Sequence, residues 1–174
     1  MKTEPVITTQ LHLLGTAGVF RRDDQGQLVP VPLQPRRTAL LSYLVTARPR
    51  GLHSRDALIA LLWPEADQPS ARHALRNALS ALRQALGAPA IVTVGDSMVG
   101  VDPAWIGCDL LELEAAIATR DAETTLDRYG ELLHGFHLAE SRPFAEWAER
   151  ERGRLREAVI HCSTRPLWCR PTAM

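Results

Sequence analysis

The chain has 174 residues, of which 45% are apolar, and its 20 basic and 20 acidic residues give a formal net charge of zero at pH 7. This composition predicts a globular protein with one good core or two small ones. It excludes a membrane-spanning protein, because no apolar run approaches the roughly 20 residues that a span needs, and the N-terminus lacks the apolar core of a secretion signal. We therefore expect a cytoplasmic protein. Three cysteines without CxxC spacing argue against a disulfide framework or a zinc site.

The net charge of zero averages two regions of opposite sign. Residues 33–90 hold eight arginines and three acids, for a charge of +5, whereas residues 102–151 hold twelve acids and four arginines, for −8. A basic region is suited to nucleic-acid phosphate, and an acidic region is repelled by it. The change of sign near residue 102 predicts two modules, one that faces DNA and one that faces another partner.

The first 33 residues predict a small β-sheet. Residues 10–20 are mostly apolar and lead into the turn sequence Asp23-Asp24-Gln25-Gly26, which together indicate a hairpin. Residues 28–33 contain two prolines, and proline cannot donate to a β-ladder. We therefore expect residues 28–33 to form an edge strand.

Two helices come next along the chain. The first is predicted from Pro35 to Ala47, because proline suits a first helical turn and leucines then recur on one side. The second takes Ser54 as its N-cap and ends at Pro64. A loop of seven residues, from Pro64 to Ser70, is expected to follow.

The third helix, from after Pro69 to a C-cap at Gly87, is the most informative element. Its leucines have the spacing of a buried stripe and are Leu75, Leu79, Leu82 and Leu86. The other face exposes polar residues, namely Arg72, His73, Arg76, Asn77, Ser80, Arg83 and Gln84. Arginine can bind guanine O6 and N7 with two bonds and asparagine can bind adenine, so this face is suited to a DNA major groove. An ordinary solvated helix face is the alternative interpretation.

Residues 91–94 and 98–101 predict a second hairpin, with Gly95-Asp96-Ser97 between its strands. Sheet, three helices and hairpin is the order of a winged helix-turn-helix domain. The predicted wing carries an acid at its tip, where winged helices often place an arginine that enters the minor groove. The third helix is therefore expected to carry the main specificity.

Beyond the wing, amphipathic periodicity predicts helices at residues 109–118, 123–133 and about 143–160. The chain would then end with an incomplete helical stack. We expect this to leave apolar surface open around a set of residues on these helices, Phe144, Trp147, Leu155 and Val159.

The predicted fold class is thus mainly α with small β-sheets. We predict a winged-helix domain at residues 1–101 and a short helical domain at 102–162. Residues 163–174 show no helical period and are expected to form a disordered tail.

Three motifs resemble the DNA-binding domain of the SARP family, the Streptomyces antibiotic regulatory proteins, whose winged helix is of the OmpR type. They are RTALLSYL at 37–44, SRDALIALLWP at 54–64 and ARHALRNALSALR at 71–83. The sequence from Cys108 onward resembles the start of the bacterial transcriptional activator domain, which is built from TPR-like helices. The resemblance implies a transcriptional activator that binds promoter repeats through its third helix, as side-by-side protomers, and recruits RNA polymerase.

The same resemblance suggests roles for particular residues. Base edges or nearby phosphates would be contacted by Arg72, His73, Arg76, Asn77, Ser80 and Arg83. Backbone phosphates would be contacted by Arg36, Arg37 and Arg55. A loop that touches RNA polymerase would include Glu65, Asp67 and Gln68. Each role has an alternative. Arg36 and Arg37 could be solvated residues at a helix start, and Arg83 could pair with an acid at the domain junction. The loop that includes Glu65 could be a simple connector.

No phosphate-binding loop, nucleophile elbow or HExxH helix occurs in the sequence, so we predict that the chain is not an enzyme and uses no cofactor. His134 and His137 lack the further ligands of a metal site. Two alternatives to the activator remain open. One is a protein-interaction adaptor built on a winged-helix platform that does not bind DNA, and the other is a truncated regulator that lacks activation.

Overall fold

The computed structural model describes residues 9–164 and confirms a mainly α fold with small β-sheets. In chain order the elements are β1 (Thr9–His12), β2 (Gly18–Arg22), β3 (Leu28–Pro30), α1 (Pro35–Thr46), β4 (His53–Ser54), α2 (Arg55–Leu62), α3 (Gln68–Leu86), β5 (Ile91–Val94), β6 (Met98–Val101), β7 (Ile106–Cys108), α4 (Asp109–Thr119), α5 (Ala122–Arg128) and α6 (Arg142–Ser163).

The N-terminal sheet has four strands in the order β3-β2-β1-β7. Strand β3 lies at the edge, as its prolines predict. Strand β7 pairs in parallel with β1, opposite Thr9 to Leu11, and the sequence did not predict it. The domain boundary between residues 101 and 102 stays a prediction. Strand β7 follows that boundary in the chain but pairs within the N-terminal sheet.

Helices α1 to α3 and a three-stranded sheet form the winged helix. The Ser54 hydroxyl caps α2 by accepting from the Ala57 amide at 3.0 Å, as predicted. Helix α3 begins at Gln68, earlier than predicted, because the Asp67 carboxylate accepts from the Ser70 amide at 2.9 Å. At the other end Gly87, with φ of +99°, is the predicted C-cap.

The wing is the predicted β5–β6 hairpin, and β4 adds a third strand beside β6. Strand β4 runs directly into α2, and the Arg55 amide donates to the Ser97 carbonyl at 2.8 Å. The wing is therefore fixed to the first turn of α2.

The predicted helix at residues 123–133 is wrong beyond Arg128, where α5 ends. Gly130 packs so closely on the N-terminal sheet that a Cβ there would lie 3.2 Å from the Leu14 carbonyl carbon. The Leu133 amide then donates to the Leu13 carbonyl at 2.7 Å. The backbone groups of this segment bond to residues 13–15 and not to a helical turn, because that pairing buries Leu132 and Leu133.

The apolar surface that we expected to be open is buried, so that prediction is wrong. Phe144, Trp147, Leu155 and Val159 are all less than 8% exposed. Helix α6 packs against α2, and its Trp147 ring meets the Tyr43 ring edge-on at 5.0 Å. One hydrophobic core therefore extends from the N-terminal sheet to α6.

The predicted tail at 163–174 falls mostly on residues 165–174, outside the described residues. Ser163, its first residue, is instead the last residue of α6.

Candidate nucleic-acid interface

Helix α3 presents the predicted polar face to solvent. Its buried side chains are Ala71, Leu75, Ala78, Leu79, Leu82 and Leu86. Its exposed polar side chains include Arg72, His73, Arg76, Asn77, Ser80 and Gln84, whereas Arg83 is half-buried. Arg83 makes no ion pair with any residue between 9 and 164, so the alternative that it pairs at the junction finds no support there. The helix is held by its apolar stripe and leaves one long face open.

The first turn of α3 is fixed by Asp67, which lies in the loop predicted to touch polymerase. Its carboxylate accepts from the amide and from the hydroxyl of Ser70, at 2.9 and 2.8 Å. These bonds lower the pKa of Asp67. Of the three predicted loop residues, Asp67 is thus a helix cap, Gln68 is the first residue of α3, and Glu65 remains exposed in the loop.

A cleft of about 520 Å³ separates α3 from the wing. Charged residues of both signs line it, namely Arg55, Arg72, Arg76, Asp56 and Asp96. The only ion pair among them is a long one, with Arg72 Nη2 at 3.9 Å from Asp56 Oδ1, and both side chains are more than half exposed. Such a pair contributes little to stability and leaves the arginine available to a ligand.

Arg76 is exposed and pairs with no acid in the described range. Asn77 and His73, one helical turn apart, are joined by a side-chain bond of 2.9 Å between Asn77 Nδ2 and His73 Nε2. Arg55, on the wing side, is half-buried, and its Nε is buried without a partner among residues 9–164. Three predicted contact residues, Arg55, Arg72 and Arg76, therefore converge on the wing side of α3.

A second groove, of about 630 Å³, lies on the opposite side of α3. It is bounded by the start of α1, by Asn77 of α3 and by residues 137–140 of the C-terminal region. Arg36 and Arg37 line this groove, so the three predicted phosphate contacts are divided between the two sides of α3. Arg36 approaches Glu140 at 3.5 Å, a contact that no local sequence pattern indicates.

A cluster at Glu114 connects the basic and acidic regions. Arg48 Nη2 and Arg154 Nη2 donate to Glu114 Oε1 at 2.7 and 2.5 Å, and Arg50 donates to Oε2. Burial opposes ionisation of Glu114, but the three arginines outweigh it and lower the pKa of its carboxyl. Two arginines of the basic region, Arg48 and Arg50, are thus paired with an acid of the acidic region, and those of α3 are not.

Comparison with solved structures finds EmbR from Mycobacterium tuberculosis, in complex with a low-affinity phosphopeptide. The match has a TM-score of 0.59 at 23% sequence identity and covers 87% of this chain but 43% of the EmbR chain. This chain therefore has the fold of the matched part of EmbR and spans less than half of its length. No protein-family model and no curated protein matches the sequence.

Two properties of residues 9–164 bear on membranes and metals. Within that range, no helix has the length and apolar character needed to cross a membrane. Nor do three or more His, Cys, Asp or Glu side chains in that range come together as metal ligands would.

Proposed function

We propose that this chain is a sequence-specific DNA-binding transcriptional regulator in which α3 enters the major groove of promoter DNA. The observation that carries the proposal is the open face of α3, where Arg76 is exposed without an ion pair in the described range and Asn77 and Ser80 lie beside it. These are side-chain types that bind base edges. The winged-helix fold supports the placement, because its third helix is the one that such folds insert into DNA.

The two sides of α3 would meet the two DNA strands. Arg55 on the wing side and Arg37 on the other side are half-buried and face their grooves, where a phosphate can approach. Such contacts position a protein on DNA without selecting sequence. Arg72 and His73 would add to base or phosphate contact near the start of α3, and Arg83, half-buried, would contact the backbone.

The finer functions belong to the same proposal and rest on the SARP resemblance. They are binding of promoter repeats by side-by-side protomers, a TPR-like C-terminal region, and recruitment of RNA polymerase by an activator. Exposed Glu65 is then the loop residue available for the polymerase, because the Asp67 carboxylate already caps α3.

The test is selection of duplexes from a randomised pool, followed by fluorescence anisotropy on the selected and an unrelated duplex. We expect log K to fall against log salt with a slope of about −0.9 for each phosphate engaged. Arg76→Ala should lose about 1 to 3 kcal/mol on the selected duplex and much less on the unrelated one, because a base contact is lost.

Arg150→Ala is the matched control, since Arg150 is an exposed arginine of α6 that lines neither groove beside α3. It should bind both duplexes like the wild type. If no sequence is enriched, or if both variants lose the same affinity on both duplexes, the proposal is wrong.

One observation favours the adaptor as the second candidate. Asp56 and Asp96 lie on the wing side of α3, where they would repel phosphate. An adaptor predicts no duplex binding even at low salt, so the same titration separates the two functions.

A further inference from the structure

We propose, on the basis of the DNA binding proposed above, that Glu140 occupies Arg36 in the free protein and that a DNA phosphate displaces it. The C-terminal helical region would then tune the affinity of the winged helix for duplex DNA. The contact that carries this inference joins two regions 104 residues apart in the chain.

The Arg36 guanidinium is held by weak contacts. Its Nη2 lies 3.5 Å both from Glu140 Oε2 and from the Ala139 carbonyl oxygen, at the outer limit for hydrogen bonds. Its Cζ lies 5.9 Å from the centre of the Trp63 ring, near the limit for a cation–π contact. The Arg36 side chain is one-third exposed and that of Glu140 three-quarters exposed. Water therefore screens their attraction, and a stronger anion can replace the carboxylate.

Arg36 also has unused donor capacity. Both of its hydrogen bonds to described residues come from Nη2, so Nη1 at the same end of the guanidinium has none there, while the buried Nε stays out of reach of a phosphate. A phosphate can accept from two guanidinium nitrogens at once, with bonds near 2.8 Å. Exchanging Glu140 for a phosphate would thus replace long contacts by short ones.

The fold sets the position of Glu140. The next residue, Ser141, is buried, and its hydroxyl donates to the Leu61 carbonyl at the end of α2 at 2.5 Å. The same hydroxyl accepts from the Phe144 amide and so caps α6. Glu140 itself has φ of +62°, which is unusual for a residue with a side chain. Helix α6 and α2 thus fix the backbone that presents the carboxylate to Arg36.

The groove beside this contact opens onto α3. Arg36, Arg37 and Asn77 line it together with His137 and Glu140. A smaller cavity of about 180 Å³ is lined by Arg36 and Glu140 together with Trp63 and Glu65. A DNA backbone that follows α3 on this side would meet Arg36 and Glu140 together. Glu140 would therefore lower affinity in two ways, by occupying Arg36 and by repelling phosphate.

The experiment compares Glu140→Gln with Glu157→Gln, which removes an exposed acid of α6 that forms no ion pair in the described range. Both are also made in an Arg36→Ala background, and circular dichroism checks that each variant is folded. Affinity for the selected and the unrelated duplex is measured by anisotropy across a salt series. We expect Glu140→Gln to strengthen binding to both duplexes about two- to fivefold at low salt, because the contact is with the backbone and not with bases.

We expect Glu157→Gln to leave affinity unchanged. Arg36→Ala should weaken binding and reduce the salt slope by about 1. In the Arg36→Ala background, Glu140→Gln should lose most of its effect, since the arginine that it releases is absent. The proposal is overturned if the two glutamine variants behave alike, or if Glu140→Gln acts equally strongly without Arg36. Either result leaves the DNA-binding proposal standing, whereas a wild type that binds no duplex overturns both.

Discussion

Two groups of arginines in this molecule have opposite surroundings. At the junction of the basic and acidic regions, Arg48, Arg50 and Arg154 all donate to Glu114, whose side chain is only 10% exposed. On α3, Arg76 faces solvent and Arg72 has a single long contact of 3.9 Å to Asp56. The first group is satisfied within the fold, and the second is available to a ligand.

The difference shows that charge separation along the sequence does not mean separation in space. The acidic region does not simply face away from the basic region, because Glu114 and Glu140 contact arginines of the basic region. The contacts of Glu114 offset positive charge at the junction, and the contact of Glu140 partly offsets that of Arg36 in the second groove, whereas Arg76 on α3 has no acidic partner in the described range. Arginine count alone therefore overstates the positively charged surface that is open to a ligand.

The largest effect is expected when Glu114 is replaced by alanine. The variant leaves three arginines close together with no carboxylate between them, so we expect the free energy of unfolding to fall by about 2 to 3 kcal/mol. Urea denaturation at neutral pH measures it. The matched control is Glu157→Ala, which should change stability by less than about 0.5 kcal/mol because that acid is exposed. If Glu114→Ala is as stable as the control, the cluster at Glu114 does not stabilise the fold. If the folded variant instead loses duplex affinity as Arg76→Ala does, the junction arginines and the α3 arginines do not differ in role.

Acid should weaken the junction at Glu114. The pKa of Glu114 in the folded chain lies below its usual value of 4.5, because hydrogen bonds from the arginines outweigh burial. A depressed pKa stabilises the fold fully above that usual value, and the stabilisation is lost as pH falls through the folded-state pKa. The stability difference between the wild type and Glu114→Gln should therefore be constant near neutral pH and shrink as the pH falls below about 4.5. Urea midpoints between pH 7 and pH 3 test this, and a difference that grows on acidification would contradict it.

Helix α3 and the wing could be predicted because their signals are local. A leucine stripe, the cap at Gly87 and a turn at Gly95 specify helix and hairpin within a few residues of sequence. The exposed face of α3 follows from the same stripe, so the exposure of Arg76 and Asn77 was predictable too.

The segment after α5 could not be predicted from periodicity, because long-range contacts decide it. Leu132 and Leu133 extend the apolar period of α5, yet both pack on the N-terminal sheet. Gly130 was the available signal, since glycine disfavours a helix interior, but only its close approach to Leu14 shows where the helix must end. Strand β7 and the Arg36–Glu140 contact were missed for the same reason, as each joins residues about 100 positions apart.

The smallest effect concerns the wing tip, where Asp96 lies in the cleft beside Arg55, Arg72 and Arg76. If the arginines of α3 bind DNA, this acid repels the same phosphates that they attract. Asp96→Asn should then strengthen binding to any duplex about twofold at low salt, and the gain should vanish as salt screens exposed charges.

The matched control for the wing is Asp127→Asn, an exposed acid of α5. Anisotropy on selected and unrelated duplexes distinguishes the outcomes. An equal gain in both variants would mean that net charge alone is responsible, and the cleft would have no special place in binding. A loss of affinity confined to the selected duplex would mean that Asp96 accepts a hydrogen bond from a cytosine amino group, as acidic side chains can. In that case the wing would share in base recognition, and α3 would not be the sole source of specificity.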